Sequence, residues 1–170
     1  MKKKTAICII LLFFLFAGGA YADNPGKVIS FKGYQKIEIG KSIQTISRAT
    51  GFKFKKDSEA KEDFACTYAV TPSLPGMYIM LVKDVVARID VDKGDYTTPE
   101  GARLGDSEKN IKKLYPKAEI EGQKYVPEGH YITVRSSDKR HAILLETDGK
   151  KVTAFRVGRM PEIEWVEGCN

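Results

Sequence analysis

The sequence predicts an α+β protein of two tandem units, each a short helix packed on an antiparallel sheet of about four strands. Two observations carry that expectation: a helix-start motif that occurs twice, and strand-like runs in the same order after each copy. The motif is aliphatic-Gly-x-Ser-x-x-x-Ile-x-x-aliphatic, read over Ile39–Ala49 and again over Leu104–Leu114, about 65 positions later. A period of that size is too long for a solenoid repeat and suits a duplicated α+β unit.

Each copy opens as a helix should. Ser42 and Ser107 offer a side-chain oxygen to the amides of a first turn, and the apolar residues that follow recur on one face. Gly51 suits the left-handed exit of the first helix, and Pro116 cannot continue the second. After the first helix come FKFKK, CTYAVTP and MYIMLVKDVVARIDV; after the second come AEIEGQKYV, HYITVRSS and HAILLETDGKKVTAFRV. Asp148-Gly149 between apolar runs predicts a hairpin turn, and Lys83-Asp84 holds the corresponding place in the first copy. The expected division is a first repeat over 23–97, a second over 98–159 and a tail over 160–170.

Residues 1–22 are expected to be removed. MKKK is followed by an apolar run from Ala6 to Ala17 and by Ala20-Tyr21-Ala22, the small-x-small pattern of a secretory signal peptide. The run is shorter than the roughly 20 residues of a membrane span, so no stable span is expected after cleavage. Cys8 lies within the run rather than at the cleavage point and should leave with the peptide. Three lysines leave too, and the net charge falls from +6 to +3. That near balance in an exported chain argues against a nucleic-acid partner and places the protein in the periplasm or outside the cell. There, Cys66 and Cys169 permit one internal pairing, with two free thiols or an intermolecular bridge as the alternatives. A Cys66–Cys169 bond would close a loop of roughly 100 residues and draw the tail across the sheet.

The Gly-x-Ser helix start, the helix laid on an antiparallel sheet and the tandem copy resemble β-lactamase inhibitor protein and the small accessory lipoprotein of the outer-membrane barrel-assembly machinery. The resemblance implies a concave sheet surface that grips a protein partner. The stretch Leu104–Cys169, with KYVPEGHYITV, LLETDGKKV and RVGRMPEIEWVEGC, is also similar to a set of uncharacterised secreted bacterial proteins, which implies no function.

Alternation along the strands sorts side chains onto two faces. Val85, Ala87, Ile89, Val91, Phe155, Val157, Ile132, Val134, Ile143 and Leu145 should face the helices. The opposite face should receive Tyr68, Tyr78, Met80, Arg88, Tyr131, Thr133, Arg135, Leu144, Glu146 and Arg156, with Cys66 beside them. Aromatics, methionine and arginine mixed on one surface are the composition of protein-binding patches. The expected partner-binding set is therefore Tyr68, Tyr78, Arg88, Tyr131, Arg135, Arg156 and Trp165, unless a second layer or the tail covers that face. In the tail, alternation places Ile163 with Trp165, opposite Glu162 and Glu164, as an added strand or clamp.

Signals for chemistry are sparse. Gly40-Lys41-Ser42 lacks the earlier glycine of a phosphate-binding loop, whose place is taken by Gln35. His130 and His141 lack metal-ligand spacing, although Glu128 or Glu146 could add to a ligand set. Glu162 and Glu164 could serve as a carboxylate pair, and Ser136-Ser137 has no nucleophile elbow. No cofactor and no metal is expected. The reading that follows is a non-enzymatic interaction module of inhibitor or envelope-assembly-accessory type. The alternative is a small periplasmic hydrolase or ligand-binding protein using His130, Glu128 and Arg135.

Overall fold

The structure is a computed structural model that describes residues 26–57 and 65–169. The expected signal peptide, with Cys8 and the Ala20–Ala22 cleavage pattern, lies outside the described residues. A small hairpin, β1 (Gly33–Tyr34) and β2 (Ile37–Glu38), precedes helix α1 (Ile43–Thr50). Strands β3 (Lys55–Lys56), β4 (Cys66–Val70), β5 (Met77–Val82) and β6 (Val85–Val91) follow. Helix α2 (Glu108–Leu114) then leads to β7 (Glu119–Gly122), β8 (His130–Arg135), β9 (His141–Thr147) and β10 (Val152–Arg159). A single 3-10 turn, Glu162–Glu164, begins the tail.

Local chemistry sets the helix ends. The Ser42 hydroxyl accepts from the amide of Thr45 and the Ser107 hydroxyl from that of Asn110. Each satisfies one orphan donor of its first turn. Gly51, at φ 73°, ends α1 with its amide on the Ser47 carbonyl. Tight turns join the strands: Lys83 and Asp84 both take left-handed backbone between Val82 and Val85, and the Asp148 carboxylate accepts from the amides of Lys150 and Lys151.

The two-unit expectation is overturned at the next level. All strands from β3 to β10 form one eight-stranded antiparallel sheet in the order β3-β4-β5-β6-β10-β9-β8-β7. Strand outweighs helix by 41% to 13%, so the fold is sheet-dominated rather than two tandem helix-on-sheet units. The seam is the pairing of β6 with β10, where Val91 faces Phe155 and Ile89 faces Val157. Two separate sheets would each leave the inner edge of β6 or β10 with unpaired amides and carbonyls, and joining removes both edges. The two strands run close: a Cβ on Gly158 would stand 2.8 Å from the Ala87 carbonyl oxygen. The core is continuous across the seam. Ile79, Leu81, Val86, Ile89, Phe155, Val157, Ile143, Leu145 and Ile132 make one apolar layer with Ile43, Ile46 and Ile111 of the helices. Helices this short cover only part of it, and Ile29, Tyr34 and Tyr96 from the flanking segments complete the cover, with the two tyrosine rings edge to face at 5.6 Å.

The strict alternation expected along β6 also fails in one place. Leu81 pairs with Val86 while Met80 pairs with Arg88, so Ala87 is an extra residue in a bulge. Val86, not Val85 or Ala87, therefore joins the main core, and Val85 is half-buried beside Ser42. Beyond the bulge the parity returns, with Ile89 and Val91 inward and Arg88 and Asp90 outward.

Candidate functional site: the outer face of the sheet and its tail

Across the outer face run two rows of residues set by register. One is Tyr68, Met80, Arg88 and Gly158; the other is Tyr78, Asp90, Arg156 and Leu144. The tail crosses this face and is fixed at its end by a disulfide between Cys66 of β4 and Cys169, with Cα atoms 5.4 Å apart. Ile163 is fully buried on Ala142 and Leu144, and Tyr131 and Met160 pack around them. The tail is thus a clamp, and the added strand allowed by the pattern is a 3-10 turn instead.

Arg88 is the centre of the clamp. Its side chain is 2% exposed, and every nitrogen of its guanidinium is used. Nε donates to Asp90 at 3.0 Å, Nη1 to the carbonyls of Glu162 at 3.0 Å and Trp165 at 2.7 Å, and Nη2 to the Tyr68 hydroxyl at 2.6 Å. Burial raises the Asp90 carboxyl above the usual range against the pull of Arg88, and burial pushes the Tyr68 phenol up to about 12. Arg135 likewise serves the tail: it meets Glu119 and Glu164 at 3.0 Å each, and Nη1 lies 3.4 Å from the Met160 sulfur.

Arg156 is buried in a different way. Nη1 meets Glu146 at 3.0 Å and the guanidinium carbon lies 5.9 Å from the Tyr131 ring centre, but Nε and Nη2 have no hydrogen-bond partner among the described residues. Burial, then the neighbouring Arg88 charge, lowers its pKa. Arg156, Arg88, Asp90 and Glu146 line a cleft of about 280 Å³ between the sheet and Val166 of the tail. Tyr68 and Tyr78 form a wall shared with a second cleft of about 300 Å³, which runs out over Val70, Lys55 and Lys56 to the β3 edge. Tyr78 and Val70 are 39% and 36% exposed, so this part of the face is open while the tail covers the rest.

The expected set of seven therefore divides by position. Tyr78 stands open at the groove and Tyr68 forms its wall, whereas Arg88, Arg135 and Tyr131 bind the tail. Trp165 is half-buried and is held through its carbonyl. Arg156 lies in the cleft floor, and Asp90, two residues from Arg88 and on the same face, belongs beside it. Alternation alone makes Asp90 legible.

The alternative trio is not brought together. His130 and Arg135 begin and end β8, roughly 17 Å apart at strand spacing. Glu128 is exposed in the preceding loop, and the His130 Nδ1 meets Glu108 at 2.7 Å instead. Glu108, at the start of α2, also accepts from the Thr147 hydroxyl at 2.5 Å. Burial pushes its carboxyl up, but the bonds from Thr147 and His130 prevail and hold it below the usual range. No cluster of three metal-ligating side chains occurs among the described residues, and no helix among them is long and apolar enough to cross a membrane.

Fold and site define a sheet protein with a disulfide-held tail clamped over part of one face. No protein-family model matches the chain, and no curated protein sequence matches it. Among solved structures the chain is similar to the uncharacterized protein YfeY from Escherichia coli, at 15% identity and a TM-score of 0.50 over 78% of this chain and 99% of that one. At such identity the likeness is one of fold. An extracellular protein containing an SCP domain from Bacillus anthracis str. Ames is similar at 12% identity and a TM-score of 0.46, over 72% of this chain and 44% of that one.

Proposed function

We propose that this is an exported, non-enzymatic binding protein of the cell envelope or extracellular space, inhibitor-like or accessory-like in type, which grips a protein partner through the open groove on the outer sheet face. The observation that carries this reading is the groove itself. A tail pinned by a disulfide and a buried arginine covers part of the face, yet Tyr78 and Val70 beside it stay exposed, joined to a cleft floored by charged groups. Exposed aromatic and aliphatic side chains beside recessed arginine are the make-up of an interaction hot spot. The internal disulfide and the signal-like leader together support export.

A photo-crosslinking side chain placed at position 78, and a control at the exposed Lys109 on the helix side, test this reading in cells making the exported protein. Position 78 is expected to capture a discrete protein adduct that position 109 does not. Equal capture at both positions, or none at 78, overturns the groove as the grip.

A further inference from the structure

We infer that the Nε–Nη2 edge of Arg156 is a seat for a single carboxylate, supplied by the ligand that lies in the outer-face groove. The inference rests on the reading of that groove as a binding site. Its basis is the contrast between two arginines buried on the same face. Arg88 uses all its nitrogens, so this face satisfies a guanidinium fully where the task is to hold the tail. Arg156 is just as enclosed, with a side chain 5% exposed, but among the described residues it uses only Nη1, on Glu146. The two idle nitrogens are not scattered. Nε and Nη2 are the adjacent donors along one edge of the planar guanidinium, the fork that meets two carboxylate oxygens in parallel.

A buried donor without an acceptor is costly, so this edge calls for one. A bound water is the simplest candidate, and the cleft beside Arg156, at about 280 Å³ against the roughly 30 Å³ share of one water, has room for a larger acceptor as well. Both nitrogens are closed to bulk solvent, and Val166, carried by the tail, is the wall of the cleft that does not belong to the sheet. A ligand reaches the edge as that wall yields. Asp90, Asp92 and Glu146 outnumber the two arginines in the same cleft, so each negative charge on a ligand is opposed, and one charge held by the two-pronged fork is favoured over two. A planar monocarboxylate fits and a phosphate dianion does not. Tyr68 and Tyr78 at the mouth favour an apolar or aromatic group next to the carboxylate. A peptide's terminal carboxylate and an acidic side chain share this chemistry.

Titration of the 15N-labelled exported protein, followed at the arginine Nε–H signals, tests the seat. N-acetylphenylalanine supplies a main-chain carboxylate, N-acetylaspartic acid amide a side-chain carboxylate, and inorganic phosphate the control. A saturable shift of the Arg156 signal with one of the carboxylates but not with phosphate is expected, and the stronger of the two names the source. Arg156→Lys, which keeps the charge and loses the fork, is expected to bind that carboxylate about tenfold or more weakly. No saturable shift, an equal response to phosphate, or unchanged affinity in Arg156→Lys overturns the seat. So does an Nε–H signal that contacts a slowly exchanging water and ignores every probe. If Arg156→Lys does not fold, the wild-type titration decides alone. Crosslinking at position 78 that persists while the carboxylates have no effect overturns the seat and leaves the protein-binding reading standing.

Discussion

Arg88 shows how a residue that looks like a surface hot spot in the sequence becomes an internal fastener. It is enclosed, pairs with the half-buried Asp90, and holds two tail carbonyls and the Tyr68 hydroxyl. Removing it leaves the Asp90 carboxylate without its ion-pair partner and three acceptors without their donor. Arg88→Met is therefore expected to cost on the order of 3–5 kcal/mol in urea unfolding. Arg156→Met, which gives up a single ion pair and two idle donors, should cost distinctly less; equal losses would mean that both arginines are fasteners. Glu108 poses a separate question at the same scale. Its carboxyl is held below its unfolded value by Thr147 and His130, so its contribution to stability is present above about pH 4.5 and is lost as pH falls through the lower folded value. Thermal melts between about pH 3 and 6 should show a shallower acid limb for Glu108→Gln than for the wild type. Parallel limbs would show that Glu108 does not drive the acid transition.

Among the elements, the tail is the one whose position rests on a few identifiable contacts. The 3-10 turn buries Ile163 against Ala142 and Leu144, Arg88 and Arg135 hold its polar groups, and the disulfide spans a sequence separation of 103 residues. Closure of so long a loop restricts the unfolded chain strongly, so Cys169→Ser is expected to lower stability by about 2–5 kcal/mol. The same change frees the segment that carries Trp165, and the indole emission should shift to the red. A red shift without loss of stability would mean that the tail is a passive cover, and loss of stability without a shift would mean that Arg88 and Ile163 hold it unaided.

At the scale of the whole molecule, the seam between β6 and β10 makes the two repeat-like halves interdependent. Each half would expose the paired edge of one central strand and half of a core that runs unbroken through Val91, Phe155, Ile89 and Val157. Residues 23–97 and 98–170, produced separately, are each expected to lack a cooperative thermal transition, and mixing them should restore one. Two independent transitions would restore the two-unit description. The same seam positions the groove, since its wall comes from β4 and β5 and its floor from β6, β9 and β10.

Features that depend on a few neighbouring residues, or on a count, are readable from the residues alone. Ser42 and Ser107 cap their helices, Gly51 ends the first, and Asp148-Gly149 turns a hairpin, because each outcome is decided within about four residues. The pairing of Cys66 with Cys169 was legible because two cysteines outside the leader allow one internal bond. That two helix-then-strand runs share a single sheet is settled by long-range pairing, since nothing within either run says which free edge its last strand will meet. The bulge at Ala87 was equally hidden, because one inserted residue reverses the facing of Val85 and Val86 without changing the hydrophobic pattern. The site was half legible for the same reason. Alternation put Arg88, Arg156, Tyr68 and Tyr78 on one face, but whether an arginine there grips a partner or the chain's own tail is set by contacts more than 70 residues apart, as with Arg88 and the Glu162 carbonyl.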